Sequence, residues 1–213
     1  MGKLEFKTFV DLLIYVEENL KINSRQMETL IKIKFFEEFG GNKKLLNIYQ
    51  EFSSGKNKYT KKLKDATKEK RIKSLKESEY NIKNENINIV EQINIEEEVM
   101  GDIQTTYDID KRFVYIKNLE IKYIDENRIA PRIEVYCLNN AARASLKIQN
   151  RTYDNNLFKS GDIIYINKFE RKLRVKKEDG KFVEIEGEYT WWVPSYNVIT
   201  HEQLDKIIEE KIQ

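Results

Sequence analysis

The hydrophobic pattern in the second half of the chain has the period of two residues that is typical of β-strands. Residues 132–137 and 143–148 alternate between apolar and polar side chains, which predicts two strands with one buried face each. The predicted inward positions are Ile133, Val135, Cys137, Ala144, Leu146 and Ile148. Further strands are predicted at residues 113–116, 163–166, 172–177, 182–185 and 189–193, with a turn at Asp179 and Gly180. Short strands without intervening helices favour a small antiparallel barrel or sandwich.

In the first half, apolar residues recur at helical spacing instead. Helices are predicted over residues 9–19 with Thr8 as N-cap, from Asn23 or Ser24 to about residue 33, and from Asn42 as N-cap to residue 53. An acidic helix over residues 91–100 is predicted to stop at Gly101, and an amphipathic helix over residues 200–212 ends the chain. The predicted fold class is therefore α+β, with a helical N-terminal domain, an all-β domain and a C-terminal helix.

The charged residues are unevenly distributed along the chain, in a basic block followed by an acidic block. The 213 residues carry a net charge of only +2, and this length suits one or two domains. Residues 56–76 contain ten basic and two acidic residues, whereas residues 77–110 contain ten acidic residues and one lysine. The basic block is either an ordinary solvated surface or a segment that faces phosphate groups.

Several sequence features of membrane proteins, metalloproteins and enzymes are missing from this chain. A single cysteine excludes an internal disulfide and suits a reducing, cytoplasmic location. No apolar run approaches the roughly 18 residues that a membrane helix needs, so no membrane partner is expected. There is no phosphate-binding loop, no Cys/His cluster with metal-ligand spacing and no nucleophile beside a base. We therefore expect no catalytic residue, no metal site and no cofactor in this chain.

The connector between the second and third predicted helices contains the first candidate binding site. Its glycines permit positive φ angles, and two lysines follow at the start of the next helix. One interpretation is a plain helical pair with a glycine stop. The other is a helix-hairpin-helix, which offers backbone N–H groups to a phosphate. The candidate DNA-binding residues here are Gly40, Gly41, Asn42, Lys43 and Lys44.

Residues 22–43 resemble a segment of the bacterial DNA polymerase III alpha subunit family. That family typically has Val-Asn-x-Arg, then Leu-Ile-Lys-Ala-Gly-Ala-Phe-Asp, then Phe-Gly-x-Asn-Arg. The matching residues are Asn23, Arg25, Leu30, Ile31, Lys32, Phe36, Phe39, Gly40 and Asn42. Departures are Lys34 for glycine, Phe35 for alanine, Glu37 for aspartate and Lys43 for arginine. Residues 96–101 resemble the acidic helix that leads out of the fingers region, although the Ser-Gly-His-Pro that often follows is absent.

The resemblance implies a C-terminal part of such a polymerase, with the end of the fingers followed by an OB-fold. The implied domains are a helix-hairpin-helix-like domain at 1–53, a charged helical or linker segment at 54–110, and an OB-fold at 111–213. The full-length family members are DNA-directed DNA polymerases whose catalytic aspartates lie upstream in the palm. Whether this chain belongs to an enzyme is therefore left open. The implied role is to grip duplex DNA through the hairpin and single-stranded template through the OB-fold.

Outward-facing basic and aromatic residues of two predicted strands form the second candidate site. OB-folds bind single strands across strands two and three, and the candidates there are Arg132, Tyr136, Arg143 and Lys147. Ordinary solvent-facing residues would show the same pattern. Of the adjacent Trp191 and Trp192, one is predicted to lie in the core and the other to cover a barrel end or stack on a partner. The alternatives are a module that docks a replication protein, with incidental DNA affinity, and a free-standing single-strand binder.

Overall fold

Helices form the first half of the molecule and strands dominate the second, as an α+β fold. The computed structural model describes residues 5–125 and 128–212 and divides into two units, Met1–Asp102 and Ile103–Gln213. The helices of the first unit are α1 (Phe9–Asn19), α2 (Ser24–Lys32), α3 (Asn42–Ser53), α4 (Asp65–Asn81) and α5 (Ile89–Met100). A short 3-10 helix, Glu37–Phe39, lies between α2 and α3.

Local capping chemistry sets most of these helix ends. The Thr8 hydroxyl accepts the Asp11 N–H at 3.1 Å, and Asn23 and Gln26 form a reciprocal capping box at the start of α2. Gly101 ends α5 in the left-handed region with a φ of 73°. These three ends confirm the predictions. The predicted cap Asn42 is wrong, because Gly41 caps α3 and Asn42 is its first helical residue.

The core of the helical unit lies between α1, α2, α3 and α4. Among its fully buried side chains are Phe9, Met27, Ile31, Ile48 and Leu75. The last of these comes from α4, so the charged segment contributes directly to the core. The Glu79 carboxylate also accepts the N–H groups of Phe9 and Val10, at 2.8 and 3.1 Å, and ties α4 to the start of α1.

A closed five-stranded barrel forms the second unit, with the strand order β1-β2-β3-β5-β4. Its strands are β1 (Phe113–Asp125), β2 (Arg128–Cys137), β3 (Arg143–Ile148), β4 (Ile163–Glu178) and β5 (Lys181–Ile199). All neighbours pair antiparallel except β3 and β5, which pair in parallel and close the barrel. Helix α6 (Asn150–Asn155) connects β3 to β4, and α7 (His201–Ile212) follows β5.

The last two strands are much longer than predicted. The four separate segments expected after residue 163 form two strands that continue as a hairpin arm to a tight turn at Asp179 and Gly180. Both turn residues have positive φ angles, 47° and 81°, so the predicted turn is confirmed. Register shifts between Ile166 and Lys168 and between Lys168 and Glu170 interrupt the alternation without ending the strand, so β4 appeared as separate pieces in the sequence pattern.

The barrel core contains most of the residues predicted to face inward. Ile133, Val135, Leu146 and Ile148 are buried there. Cys137 is only half-buried, and its thiol donates to the Lys111 carbonyl at 3.2 Å. Ala144 is exposed, because β5 pairs with β3 only from Leu146 onwards.

Among the helices of the described residues, none combines the length and the apolar character that crossing a lipid bilayer requires.

Candidate functional site

One row of directly paired residues crosses all five strands of the barrel. Glu120 of β1 pairs with Arg132, Arg132 pairs with Lys147, Lys147 pairs with Trp192, and Trp192 pairs with Glu170 of β4. Arg132 and Lys147 flank the buried Ile133, Leu146 and Ile148, so alternation places them on the outer face. The two cations that the sequence assigned to one face are therefore direct neighbours.

Lys147 occupies the centre of this row and lies in a positive environment. Partial burial lowers the pKa of its ammonium group, and the charges of Arg132, Arg174 and Lys122 lower it further. Neither Arg132 nor Lys147 forms a salt bridge with a carboxylate in the described part of the chain. An anion on this surface would remove the repulsion that these cations exert on one another.

Trp192 provides the aromatic surface of the row. The ammonium groups of Lys147 and Lys172 lie 5.4 and 5.3 Å from the centroid of its half-buried ring. Two further cations whose charges act on Lys147 come from neighbouring strands, Lys122 from β1 and Arg174 from β4. The sequence prediction missed Lys122, Lys172 and Arg174. The dense Lys and Arg alternation at 168–176 was the available signal, but the register shifts obscured which of these residues share a face.

Tyr136 and Arg143 form a second pair, four residues away from Arg132 on β2 and from Lys147 on β3. Tyr136 is only 1% exposed, so its predicted position on the solvent face is wrong. Its hydroxyl accepts a hydrogen bond from the Lys117 ammonium at 3.2 Å, and the Lys117 and Arg143 charges lie 5.3 and 5.2 Å from its ring. These residues line a cleft of about 300 Å³. Because the Tyr136 side chain is buried, its ring is not open to a base.

The hairpin arm of β4 and β5 exposes aromatic side chains. Trp191 is 47% exposed and meets Phe169 edge-on at 6.3 Å, and the Arg171 guanidinium lies 3.6 Å from the Tyr189 ring centroid. The prediction that one tryptophan lies in the core is therefore wrong, since Trp192 is only half-buried as well. The reason is that both residues lie where β4 and β5 leave the barrel.

The connector before α3 is closed by another part of the helical unit. The backbone N–H groups of Gly41, Asn42 and Lys44 donate to the segment 84–86, at 2.7, 3.2 and 3.2 Å. A Cβ atom on Gly41 would overlap the Glu85 carbonyl, which explains a glycine there. The donors that were predicted to face a phosphate are therefore already hydrogen-bonded within the chain.

A lysine of the connector is also paired with a carboxylate of the segment 84–86. The Lys43 ammonium lies 2.8 Å from the Glu85 carboxylate, and Lys83 lies 2.6 Å from the same group. Hydrogen bonds from these two lysines lower the pKa of Glu85 to about 2. Gly40 has a φ of 132°, which glycine tolerates, and the side chain of Lys44 is partly buried.

A buried polar network lies behind the connector. The Asn42 side-chain amide donates to the Lys32 carbonyl at 3.0 Å and to Gln92 at 2.7 Å, and its oxygen accepts the Ile87 N–H at 2.9 Å. Gln92 in turn donates to the buried Glu96 carboxylate at 2.7 Å. The network joins residues about fifty positions apart, so no local sequence pattern could reveal it.

Lys34 takes an unusual backbone conformation in this connector. Its φ of 61° lies in the left-handed region, which suits the glycine that the resembled family typically has at this position. Burial lowers the pKa of its ammonium group, and the negative charges of Glu96 and Glu37 oppose that change. Lys34 thus brings a cation close to the buried carboxylate of the network.

Within residues 5–125 and 128–212, no group of three or more His, Cys, Asp or Glu side chains is arranged to hold a metal ion.

The chain is distantly similar to the DNA polymerase III subunit alpha of Campylobacter jejuni. The two sequences are 28% identical over 134 residues, which cover 58% of this chain. The matched part spans only 11% of the length of that subunit. No protein-family model and no solved structure matches the chain.

Proposed function

We propose that this chain acts in DNA replication as a template-handling part of a DNA polymerase III alpha-like subunit. The distant similarity to such a subunit supports a replication-related role. The motif around Asn23, Gly40 and Asn42 supports an assignment to the end of the fingers. In this proposal the chain binds DNA, and nucleotidyl transfer belongs to a catalytic domain that the resemblance places upstream.

The barrel supports the assignment of an OB-fold. An OB-fold is a small five-stranded Greek-key barrel, and the closed order β1-β2-β3-β5-β4 with a helix between β3 and β4 agrees with that description. Such barrels bind oligonucleotides on the face of strands two and three, between the hairpin loops. In this proposal Arg132 of β2 and Lys147 of β3 belong to that face, and Trp192 of β5 borders Lys147.

The observation that carries the proposal is the cation–aromatic row itself. Arg132 and Lys147 are adjacent, neither forms a salt bridge with a carboxylate among the described residues, and Lys147 borders the indole of Trp192. Phosphates of a single strand would replace the missing counter-charges, while a base stacks on the indole. Binding of this kind depends on the backbone and on stacking, so little sequence preference is expected.

The hairpin before α3 is not included as a phosphate clamp. Its N–H groups at Gly41, Asn42 and Lys44 are bound by the segment 84–86, so a phosphate would first have to displace that segment. The proposed function therefore depends on the barrel alone.

Fluorescence anisotropy with a labelled single-stranded oligonucleotide at two salt concentrations tests the proposal. We expect Lys147→Ala to weaken binding and to flatten the salt dependence, and Trp192→Leu to weaken binding with little effect on that slope. Lys159→Ala is the matched control, because Lys159 is exposed and lies outside the row. Wild-type affinity in both row variants would contradict the proposal.

The alternative function is a module that docks a replication protein. The observation in its favour is the exposed apolar surface of the hairpin arm, formed by Phe169, Tyr189 and Trp191. The same titration separates the two functions. Absence of single-strand binding even at low salt would favour the docking module.

A further inference from the structure

The hairpin arm of β4 and β5 has one face that is largely apolar and open to solvent. Directly paired residues of an antiparallel ladder share a face, and alternate residues of one strand share it too. Three such pairs form what we call the arm strip: Arg171 with Trp191, Leu173 with Tyr189, and Val175 with Glu184. The side chains of Val175, Tyr189 and Trp191 are all nearly half exposed. An exposed apolar surface of this kind is typical of an interaction site.

The arm strip continues the side of the sheet that forms the barrel core. Val193 is fully buried in that core, and Trp191, two residues earlier on β5, lies on the same side of the strand. The ladder between β3 and β5 ends at Trp191, so the arm extends beyond it. The strip therefore has the side-chain character of a core but lies where β3 no longer pairs with β5.

Two opposite charges on the arm strip have no salt bridge within the chain. Elsewhere on the arm, Arg174 forms a salt bridge with Glu188 at 2.8 Å. Arg171 and Glu184 form none in the part of the chain that the structure describes. The Arg171 guanidinium lies 3.6 Å from the centroid of the Tyr189 ring, which holds this charge on the strip. One cation and one carboxylate can therefore pair with charges on another molecule.

The order of these groups makes the arm strip complementary to itself. Arg171 lies at the end near the barrel, Glu184 lies at the outer end, and the pair of Leu173 and Tyr189 lies between them. When a second arm is rotated by 180° about the middle pair and packed face to face, Arg171 of each copy meets the Glu184 end of the other. Apolar groups meet apolar groups at the centre. This is the arrangement of a two-fold symmetric interface, in which the same contact occurs twice.

The composition of the strip favours a protein over a nucleic acid as its ligand. Surfaces that bind single strands combine aromatic rings with several cations that follow the phosphates. The six residues of the strip include one cation and one carboxylate, so they carry no net charge. The aliphatic side chains of Leu173 and Val175 offer no ring on which a base could stack.

We propose that the arm strip is a self-association surface through which two copies of this chain form a two-fold symmetric dimer. This goes beyond the proposed single-strand function, because a second copy of the chain is a different ligand. Trp191 and Trp192 are adjacent in β5 and point to opposite faces, so the cation–aromatic row stays accessible in the dimer. Six residues are few beside the roughly 20–30 residues that a standard interface has on each side, so we expect a weak, concentration-dependent dimer.

Sedimentation of the full chain over a range of protein concentrations, without nucleic acid, tests the proposal with two charge reversals. Arg171→Glu and Glu184→Arg each place like charges opposite one another, and we expect each variant alone to dimerise at least about tenfold more weakly than the wild type. An equimolar mixture of the two variants should form a heterodimer with the affinity of the wild-type dimer. The reason is that every facing pair in the mixed dimer is again opposite in charge.

The matched control is Lys176→Glu, which makes the same change in charge on the other face of the arm. Lys176 pairs with Val183 and lies next to Val175 of the strip in β4, so its side chain points away from the strip. This variant should dimerise like the wild type. Equal thermal unfolding temperatures would verify that all three variants fold.

Three outcomes would overturn the inference: a monomeric wild type at every concentration, no recovery in the mixture, and an equal loss in Lys176→Glu. A monomeric wild type together with weaker single-strand binding by Arg171→Glu would assign the strip to nucleic acid instead. Because sedimentation is measured without nucleic acid, a failure of the proposed single-strand function would leave this result unchanged.

Discussion

Arg132 lies directly opposite Lys147 in the ladder between β2 and β3, and no carboxylate of the described residues forms a salt bridge with either of them. Like charges directly opposite in a sheet are destabilising. The repulsion between Arg132 and Lys147 therefore destabilises the free protein, and a bound polyanion would relieve it.

The first prediction is that Lys147→Gln stabilises the free protein while weakening single-strand binding. Removal of one of two facing cations should raise the free energy of unfolding by about 0.2–1 kcal/mol. Urea denaturation at low salt measures this change, with Lys159→Gln as control. A loss of stability would mean that the repulsion is negligible beside the packing of Lys147 on Trp192.

The second prediction concerns the buried Asn42. Asn42→Ala removes three hydrogen bonds and leaves Gln92 and the Ile87 N–H without this partner. Unsatisfied buried groups cost about 1–3 kcal/mol, so we expect a loss of that size in the free energy of unfolding. Asn47→Ala in the same helix is the control, because Asn47 is exposed. Equal effects of the two changes would show that helix propensity, and not the network, determines the result.

The third prediction compares two replacements of Lys34. Both Lys34→Gly and Lys34→Ala remove the cation near Glu96, but only glycine adopts the φ of 61° without strain. We therefore expect the glycine variant to be more stable than the alanine variant by about 1 kcal/mol. Thermal unfolding of both variants measures the difference, and the opposite order would contradict a left-handed backbone at this position.

The fourth prediction is a pH dependence from Glu85. Lys43 and Lys83 lower its pKa from 4.5 to about 2 in the folded state, so its ion pairs stabilise the protein above pH 4.5. This contribution is lost as the pH falls from 4.5 to about 2. Stability measured across this range should decrease less steeply in Glu85→Gln than in the wild type, whereas Glu98→Gln should follow the wild type. Parallel curves for the wild type and Glu85→Gln would refute the prediction.

Local rules predicted much of the helical unit. The helix caps at Thr8, Asn23 and Gly101 depend on contacts within a few residues of the cap. The local sequence was therefore enough to predict these helix ends. The closure of the connector by the segment 84–86 depends on contacts across more than forty residues. In that tertiary contact, residues 84–86 accept the N–H groups that the motif was predicted to offer to a phosphate.

The barrel site was predictable only in part, for a similar reason. Alternation within single strands placed Arg132 and Lys147 on one face, and their pairing agrees with it. The position of Trp192 beside Lys147 depends on parallel pairing between β3 and β5, which are far apart in the sequence. Tyr136 was misplaced because alternation takes no account of the Lys117 and Arg143 side chains that cover its ring.

The parallel pairing of β3 with β5 has a consequence for the folding rate. The ladder between β3 and β5 has only three residue pairs, from Leu146 with Trp191 to Ile148 with Val193, and the ladder between β1 and β4 also has three. Such long-range contacts must overcome the entropy of closing long loops, so these two seams are expected to form late and to open early. Lys147 and Trp192 lie on opposite sides of the β3–β5 seam. A ligand that contacts both of these residues would hold β3 and β5 together. It should therefore slow the unfolding of the barrel and the exchange of its amide hydrogens with solvent.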